Sequence, residues 1–163
     1  MCIPPRPRTL DPGTRKWERT LVERRLRRWL GVAALCAVIV GMSGCTRNPE
    51  AFQSFQLLNA ERAAHGVAPL ALDERLIAKA HDWAAQMAAA GDVRHSNLTS
   101  GVGSGWTVLG ENVGSAGTVA KVHSLFMGSS VHRSMVLDRR MTKVGTGVAV
   151  VGGRVYVVQV FGA

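Results

Sequence analysis

The chain has 163 residues and a formal net charge of +9, from 20 Lys and Arg against 11 Asp and Glu. Nine of those basic residues and three of the acidic ones fall in residues 1–45, so the rest is only mildly basic. That body has no electrostatic footprint for phosphates, and nucleic acid is excluded as its expected partner. Cys2, Cys36 and Cys45 are the only cysteines, all within the first 45 residues, so a disulfide framework, a thiolate metal site and a cysteine nucleophile are excluded from the remainder.

Residues 1–23 contain Pro4, Pro5, Pro7 and Pro12 with little apolar content, too little to build a core. They are expected to be a disordered basic leader, or an over-extended start with translation beginning nearer Val22. Arg24-Arg25-Leu26-Arg27-Arg28 then precedes an apolar run from Trp29 to Met42, the pattern of a secretory signal. The run is shorter than the ~20 residues that span a bilayer as a helix, although a short uncut anchor is the competing expectation. Met42-Ser43-Gly44-Cys45 resembles the bacterial lipobox, in which the cysteine receives lipid and becomes the mature N-terminus. The resemblance implies lipidation of Cys45 and an exported protein held on the outward face of a bacterial cell membrane. Residues 46–51 read as a tether, and 52–163 as the domain.

Phe52, Phe55, Leu58 and Ala63, with Leu57 and Ala60 beside them, predict a helix ending at Gly66. Glu61 and Arg62 read as its solvated charged face. Asp73 is an N-cap for a second helix, whose apolar stripe runs Leu76, Ala80, Trp83, Met87 and Ala90 and stops at Gly91. His81 at the edge of that stripe reads as structural and Trp83 as core. Residues 91–117 read as loop, with Gly101-Val102-Gly103-Ser104-Gly105 as a flexible tip. Thr118 caps a third helix carrying Val119, Val122, Phe126 and Met127, with His123 half-exposed beside them. No phosphate-binding glycine motif is present.

From Val144 to Val151 and from Arg154 to Phe161 the period becomes two, with Gly152-Gly153 between as a hairpin turn. Val155, Val157 and Phe161 share one face of the second strand, and Tyr156, Val158 and Val160 the other. Apolar residues on both faces require cover on both sides. The expected fold is α+β: a three-layer α/β/α sandwich with a small antiparallel sheet between helices.

His95, Glu111 and His132 are 16 and 21 residues apart, so only a fold can unite them. Imidazoles with a carboxylate suit a divalent ion such as zinc, or acid–base chemistry. Several short pieces, taken in order, give the chain a family resemblance. They are Leu58-Asn59-Ala60-Glu61-Arg62, Leu70, Leu76 through Met87, His95-Ser96, Gly110-Glu111-Asn112-Val113, Ser129-x-x-His132-Arg133, Val144-Gly145-Thr146-Gly147-Val148 and Val158-Gln159-Val160-Phe161-Gly162. Together they resemble the CAP superfamily, or SCP domain, in its compact bacterial branch, from about Phe52 to Gly162. The resemblance implies the α/β/α sandwich and a central cavity in which His95, Glu111 and His132 line a divalent-metal site. It also implies that Asn59 and Arg62 are structural, hydrogen-bonded to neighbouring loops. The family's second glutamate, shortly after an aromatic on the third helix, has no counterpart: Phe126 is followed by Met127-Gly128-Ser129-Ser130-Val131. Val131 also stands where glycine or proline commonly precedes the later histidine.

The expected function is an envelope binding module for a lipid or cell-wall ligand. The alternative is a metal-dependent hydrolase, with Glu111 as base and the histidines holding zinc or polarising a carbonyl. A serine hydrolase built on Ser129 or Ser130 with His132 lacks any Gly-x-Ser-x-Gly elbow.

Overall fold

The computed structural model describes residues 48–163; the leader, the signal segment and Cys45 lie outside them. Asn48 caps the first helix, α1 (Pro49–Ala64): its side chain accepts from Ala51 N–H, and Pro49 opens the first turn. The helix therefore starts inside the stretch expected to be tether. β1 (Ala71–Leu72), α2 (Glu74–Ala90), β2 (Leu109–Ala116), α3 (Val119–Gly128), α4 (Ser130–Val136), β3 (Lys143–Val151) and β4 (Arg154–Gly162) follow. The predicted caps are present. Asp73 accepts from Arg75 and Leu76 N–H, Thr118 accepts from Lys121 N–H, and Gly91 closes α2 at φ 66°.

The four strands form one sheet in the order β1-β3-β4-β2. β4 pairs antiparallel with both β2 and β3, while β1 adds two residues parallel to β3, so the sheet is mixed. Helix α2 covers one face, packing Leu76, Ala80, Ala84 and Met87 against Val113, Tyr156, Val158 and Val160. Helices α1, α3 and α4 cover the other, over Val144, Val148, Val155, Val157 and Phe161. This is the three-layer sandwich, and each fully buried Val or Phe contributes about 1.5–3 kcal/mol. Gly145 and Gly147 let α2 lie directly on β3, since a Cβ at either would fall on the backbone of Leu76 or Ala80.

Four expectations change. Residues 91–117 are not all loop, because Leu109–Ala116 is a strand. Its glycines hid it from the period-two pattern: Gly110 and Gly114 are small because Met135 and Phe126 pack over them. The tip around Gly101 is pinned, with Val102 fully buried and its carbonyl accepting from Trp106 Nε1 at 2.8 Å. His81 is exposed rather than part of the packed stripe.

The fourth change is the buried face of α1, which consists of Ser54, Leu58 and Arg62; of the expected stripe, Leu58 is buried and Phe55 and Leu57 pack half-buried against the core. Phe52, Ala60 and Ala63 are exposed, whereas Arg62 is 1% exposed. Its Nε donates to Ala68 O at 2.7 Å, Nη1 to Val136 O and Asp138 O at 2.8 and 2.9 Å, and Nη2 to Met141 O at 3.3 Å. Asn59 clamps Leu70 with two further bonds, Nδ2 to Leu70 O at 3.1 Å and Oδ1 from Leu70 N–H at 2.8 Å. Both residues are structural and bonded to neighbouring loops.

Replacing Arg62 by alanine strands buried carbonyls as well as removing four bonds, and is expected to lower stability by about 3–5 kcal/mol. Urea denaturation of Arg62→Ala measures it; a loss below about 1 kcal/mol would contradict the assignment. Burial holds His123 below the ordinary histidine range, with Glu61 partly opposing, and its Nδ1 is buried without a partner. The native state therefore takes up this proton less readily than the unfolded chain. Its effect on stability appears as pH falls below about 6.5, where the unfolded chain gains the proton first and stability declines. His123→Leu is expected to flatten that decline, seen by comparing Tm at about pH 7.5 and about pH 5.5. An unchanged slope would count against it.

Candidate functional site

Edge strand β2 organises the polar residues. By strand alternation Glu111 lies on the α2 face with Val113, and Asn112 lies on the opposite face. The segment joining α2 to β2 brings His95 and Ser96 to Glu111. His95 Nδ1 lies 2.9 Å from Glu111 Oε1, Ser96 N–H donates to the same oxygen at 2.9 Å, and Ser96 Oγ donates to Oε2 at 2.7 Å. The Glu111 side chain is 3% exposed and that of His95 63% exposed. A buried carboxylate thus holds an exposed imidazole through its Nδ1.

Side-chain donors of α2 hold this segment by its backbone carbonyls. Trp83 Nε1 donates to Arg94 O at 2.8 Å, Lys79 Nζ to Asn97 O and Ser100 O at 2.7 and 2.9 Å, and Arg75 Nη1 to Ser104 O at 3.3 Å. Arg75, Lys79 and Trp83 are four residues apart and so share one stripe of the helix. Trp83 is half-buried against the core rather than wholly within it. Between α2 and the segment lies a cavity of about 350 Å³ lined by Lys79, Asp82, Trp83, Gln86, Ser96 and Asn97, among others. Ser96 belongs both to this cavity and to the Glu111 cluster.

His132 reaches the edge of β2 from the other face, on α4. Its ring stacks at a tilt on Phe126 with centroids 5.1 Å apart, and its Nδ1 lies 3.0 Å from Ser129 Oγ. Burial, followed by the charge of His95, holds His132 below the ordinary histidine range, so it is neutral at neutral pH. A row of buried polar side chains supports it. Asn112, Gln159 and Thr146 are directly opposed across β2, β4 and β3. Asn112 Nδ2 donates to His132 O at 3.1 Å and to Gln159 Oε1 at 3.3 Å; Gln159 Nε2 donates to Ser54 Oγ at 3.2 Å, and Thr146 Oγ1 to Ala51 O at 2.8 Å.

The structure thus joins His95 directly to Glu111, while His132 stands across β2, bonded to Ser129. Among the described residues no group of three His, Cys, Asp or Glu side chains is arranged to hold a metal ion. Both oxygens of Glu111 are already engaged by the His95-Ser96 pair. The Ser129–His132 contact is local to the start of α4, and among the described residues no carboxylate bonds His132 to orient it as a general base. Sequence reasoning missed the α2 donor stripe and the polar row. The four-residue spacing of Arg75, Lys79 and Trp83 was the available signal for the first. The second required strand register.

The chain is similar in fold to several solved proteins. An extracellular SCP-domain protein from Bacillus anthracis aligns at 24% identity and a TM-score of 0.57, over 69% of this chain and 39% of that one. An outer surface protein from Borrelia burgdorferi aligns at 13% identity and 0.64, over 72% and 95%. NaASP2 with Zn2+ aligns at 17% identity and 0.57, over 72% and 83%. The chain spans about two fifths of the Bacillus protein's length. No curated protein sequence matches it at a significant level. Residues 55–161, which run from within α1 to the penultimate residue of β4 and include the His95–Glu111 cluster, match the cysteine-rich secretory protein family, and the chain belongs to that CAP family.

Proposed function

We propose that the protein is an exported, lipid-anchored binding module of the bacterial envelope, and that its CAP domain takes a polar cell-wall ligand at the cavity beside Ser96. The observation that carries the ligand class is the lining: an ammonium, a carboxylate, two amides and serine hydroxyls beside one indole. Such a surface suits a saccharide or peptide of the wall, which needs hydrogen bonds and one aromatic wall, better than an acyl chain, which needs an apolar tunnel. Export is supported by the signal-like segment and by the extracellular SCP-domain protein among the solved relatives. No helix among the described residues is long and apolar enough to cross a membrane.

A second role is supported by the free ring nitrogens of the two histidines. Each Nδ1 is engaged, by Glu111 or by Ser129, which leaves both Nε2 atoms as the donors a divalent ion such as zinc would use. Glu111 then orients His95 instead of ligating. NaASP2 with Zn2+ shows that a protein of this fold has been crystallised with that metal. The hydrolase alternative gains no such support, because Met127-Gly128-Ser129-Ser130-Val131 after Phe126 supplies no acid and both oxygens of Glu111 are engaged.

Soluble peptidoglycan fragments are expected to change the tryptophan fluorescence of residues 46–163 saturably, and Asp82→Ala to weaken that binding about tenfold. Saturable binding of a fatty acid with no response to the fragments would reverse the choice of ligand. Zinc titrated calorimetrically into the same protein is expected to bind at least about tenfold more weakly to His95→Ala and His132→Ala, with Glu111→Gln weakened about 10–100-fold through the lost orientation. Equal zinc affinity in all forms removes the metal role and leaves the cavity untouched.

A further inference from the structure

Several features collect at one end of the sheet. Asn48, where the chain enters the domain, lies near this end: its Nδ2 donates to Val148 O at 2.8 Å, three residues before the last residue of β3. Val150 and Val151, each 54% exposed, lead into the turn Gly152-Gly153 and form the tip of the β3–β4 hairpin. Arg154 and Lys121 add exposed positive charge at this end, since Ala116, which leads into α3, pairs with Val155.

Only Thr46 and Arg47 separate Asn48 from Cys45. Three extended residues reach at most about 11 Å, so a lipid on Cys45 keeps the start of α1, and the hairpin end near it, close to the headgroups. We propose that the β3–β4 hairpin tip is the membrane-contacting surface, with Val150 and Val151 entering the lipid interface and Arg154 and Lys121 facing anionic headgroups. The proposal rests on acylation of Cys45. Two half-exposed valines add little to the grip of acyl chains; their effect is to fix which way the domain stands.

That stance determines what the site meets. Ala116 is level with the tip, and Glu111 lies five residues further along β2, or about 17 Å at strand rise. The His95–Glu111 cluster therefore faces away from the bilayer, toward the wall side. A competing apolar patch sits beside His132, where Leu125 is 52% and Val131 75% exposed. Were that patch on the lipid, the site would open onto the membrane instead.

The body contains no cysteine, so in the processed, acylated protein Val151→Cys and Val131→Cys each supply a single thiol for an environment-sensitive fluorophore. Both positions are exposed. The labelled proteins are reconstituted into vesicles of phosphatidylethanolamine and phosphatidylglycerol carrying a doxyl-labelled acyl chain. The expected result is a blue shift and several-fold stronger quenching at position 151 than at 131. The mass of the N-terminal peptide reports acylation separately. Absence of acyl chains overturns both the anchor and the stance. Acyl chains with equal or stronger quenching at 131, or with none at either position, overturn the stance and leave the anchor standing.

Discussion

The guanidinium of Arg62 is the contact on which the layer of helices depends. A buried arginine is tolerated only when its donors are met, and here carbonyls meet them from three separate parts of the chain. Ala68 lies in the link to β1, Val136 and Asp138 at the end of α4, and Met141 just before β3. The last carbonyls of α4 have no partner within their own short helix, and a cation placed there satisfies them and its dipole together. One side chain on α1 thereby sets the position of α4, and α4 carries His132. Asp138 is in turn held below the usual carboxylate range, chiefly by its hydrogen bonds from Arg140.

The two histidines are positioned by different means. His132 depends on buried polar register: Asn112 holds its carbonyl, and Asn112 is itself tied through Gln159 to Ser54 of α1. A row like this is costly when half satisfied and rigid when complete, which makes it a determinant of geometry more than of stability. His95 depends on a carboxylate and on the α2 stripe, near the surface. The outcome is one exposed imidazole and one held neutral by burial on either side of an edge strand, a division of character that residue types alone do not reveal.

Much of the fold was legible because local rules and tertiary packing agreed. Asp73, Gly91, Thr118 and the Gly152-Gly153 turn all did what their chemistry dictates, and both faces of β4 were assigned from its alternation. Legibility failed where packing overrode composition. Phe52 and Ala63 looked like core and face outward, while Arg62 looked solvated and is buried, because the partner of that helix face offers carbonyls. β2 was invisible because the residues overlying it demanded glycines at Gly110 and Gly114, which erase the strand signal. At the site, the His95–Glu111 pairing was legible through family resemblance. The role of Ser96 as the double donor to that carboxylate was not.

The way the segment after α2 is fastened has a wider consequence. Its attachments to Trp83, Lys79 and Arg75 run entirely through backbone carbonyls, which every amino acid possesses. The side chains of Asn97 and Ser100 can therefore be exchanged without unmooring the segment that presents them. The loop's position is encoded on the helix and not in the loop's own side chains, so evolution or design can rewrite the loop's share of what this surface recognises while the scaffold beneath it stays the same.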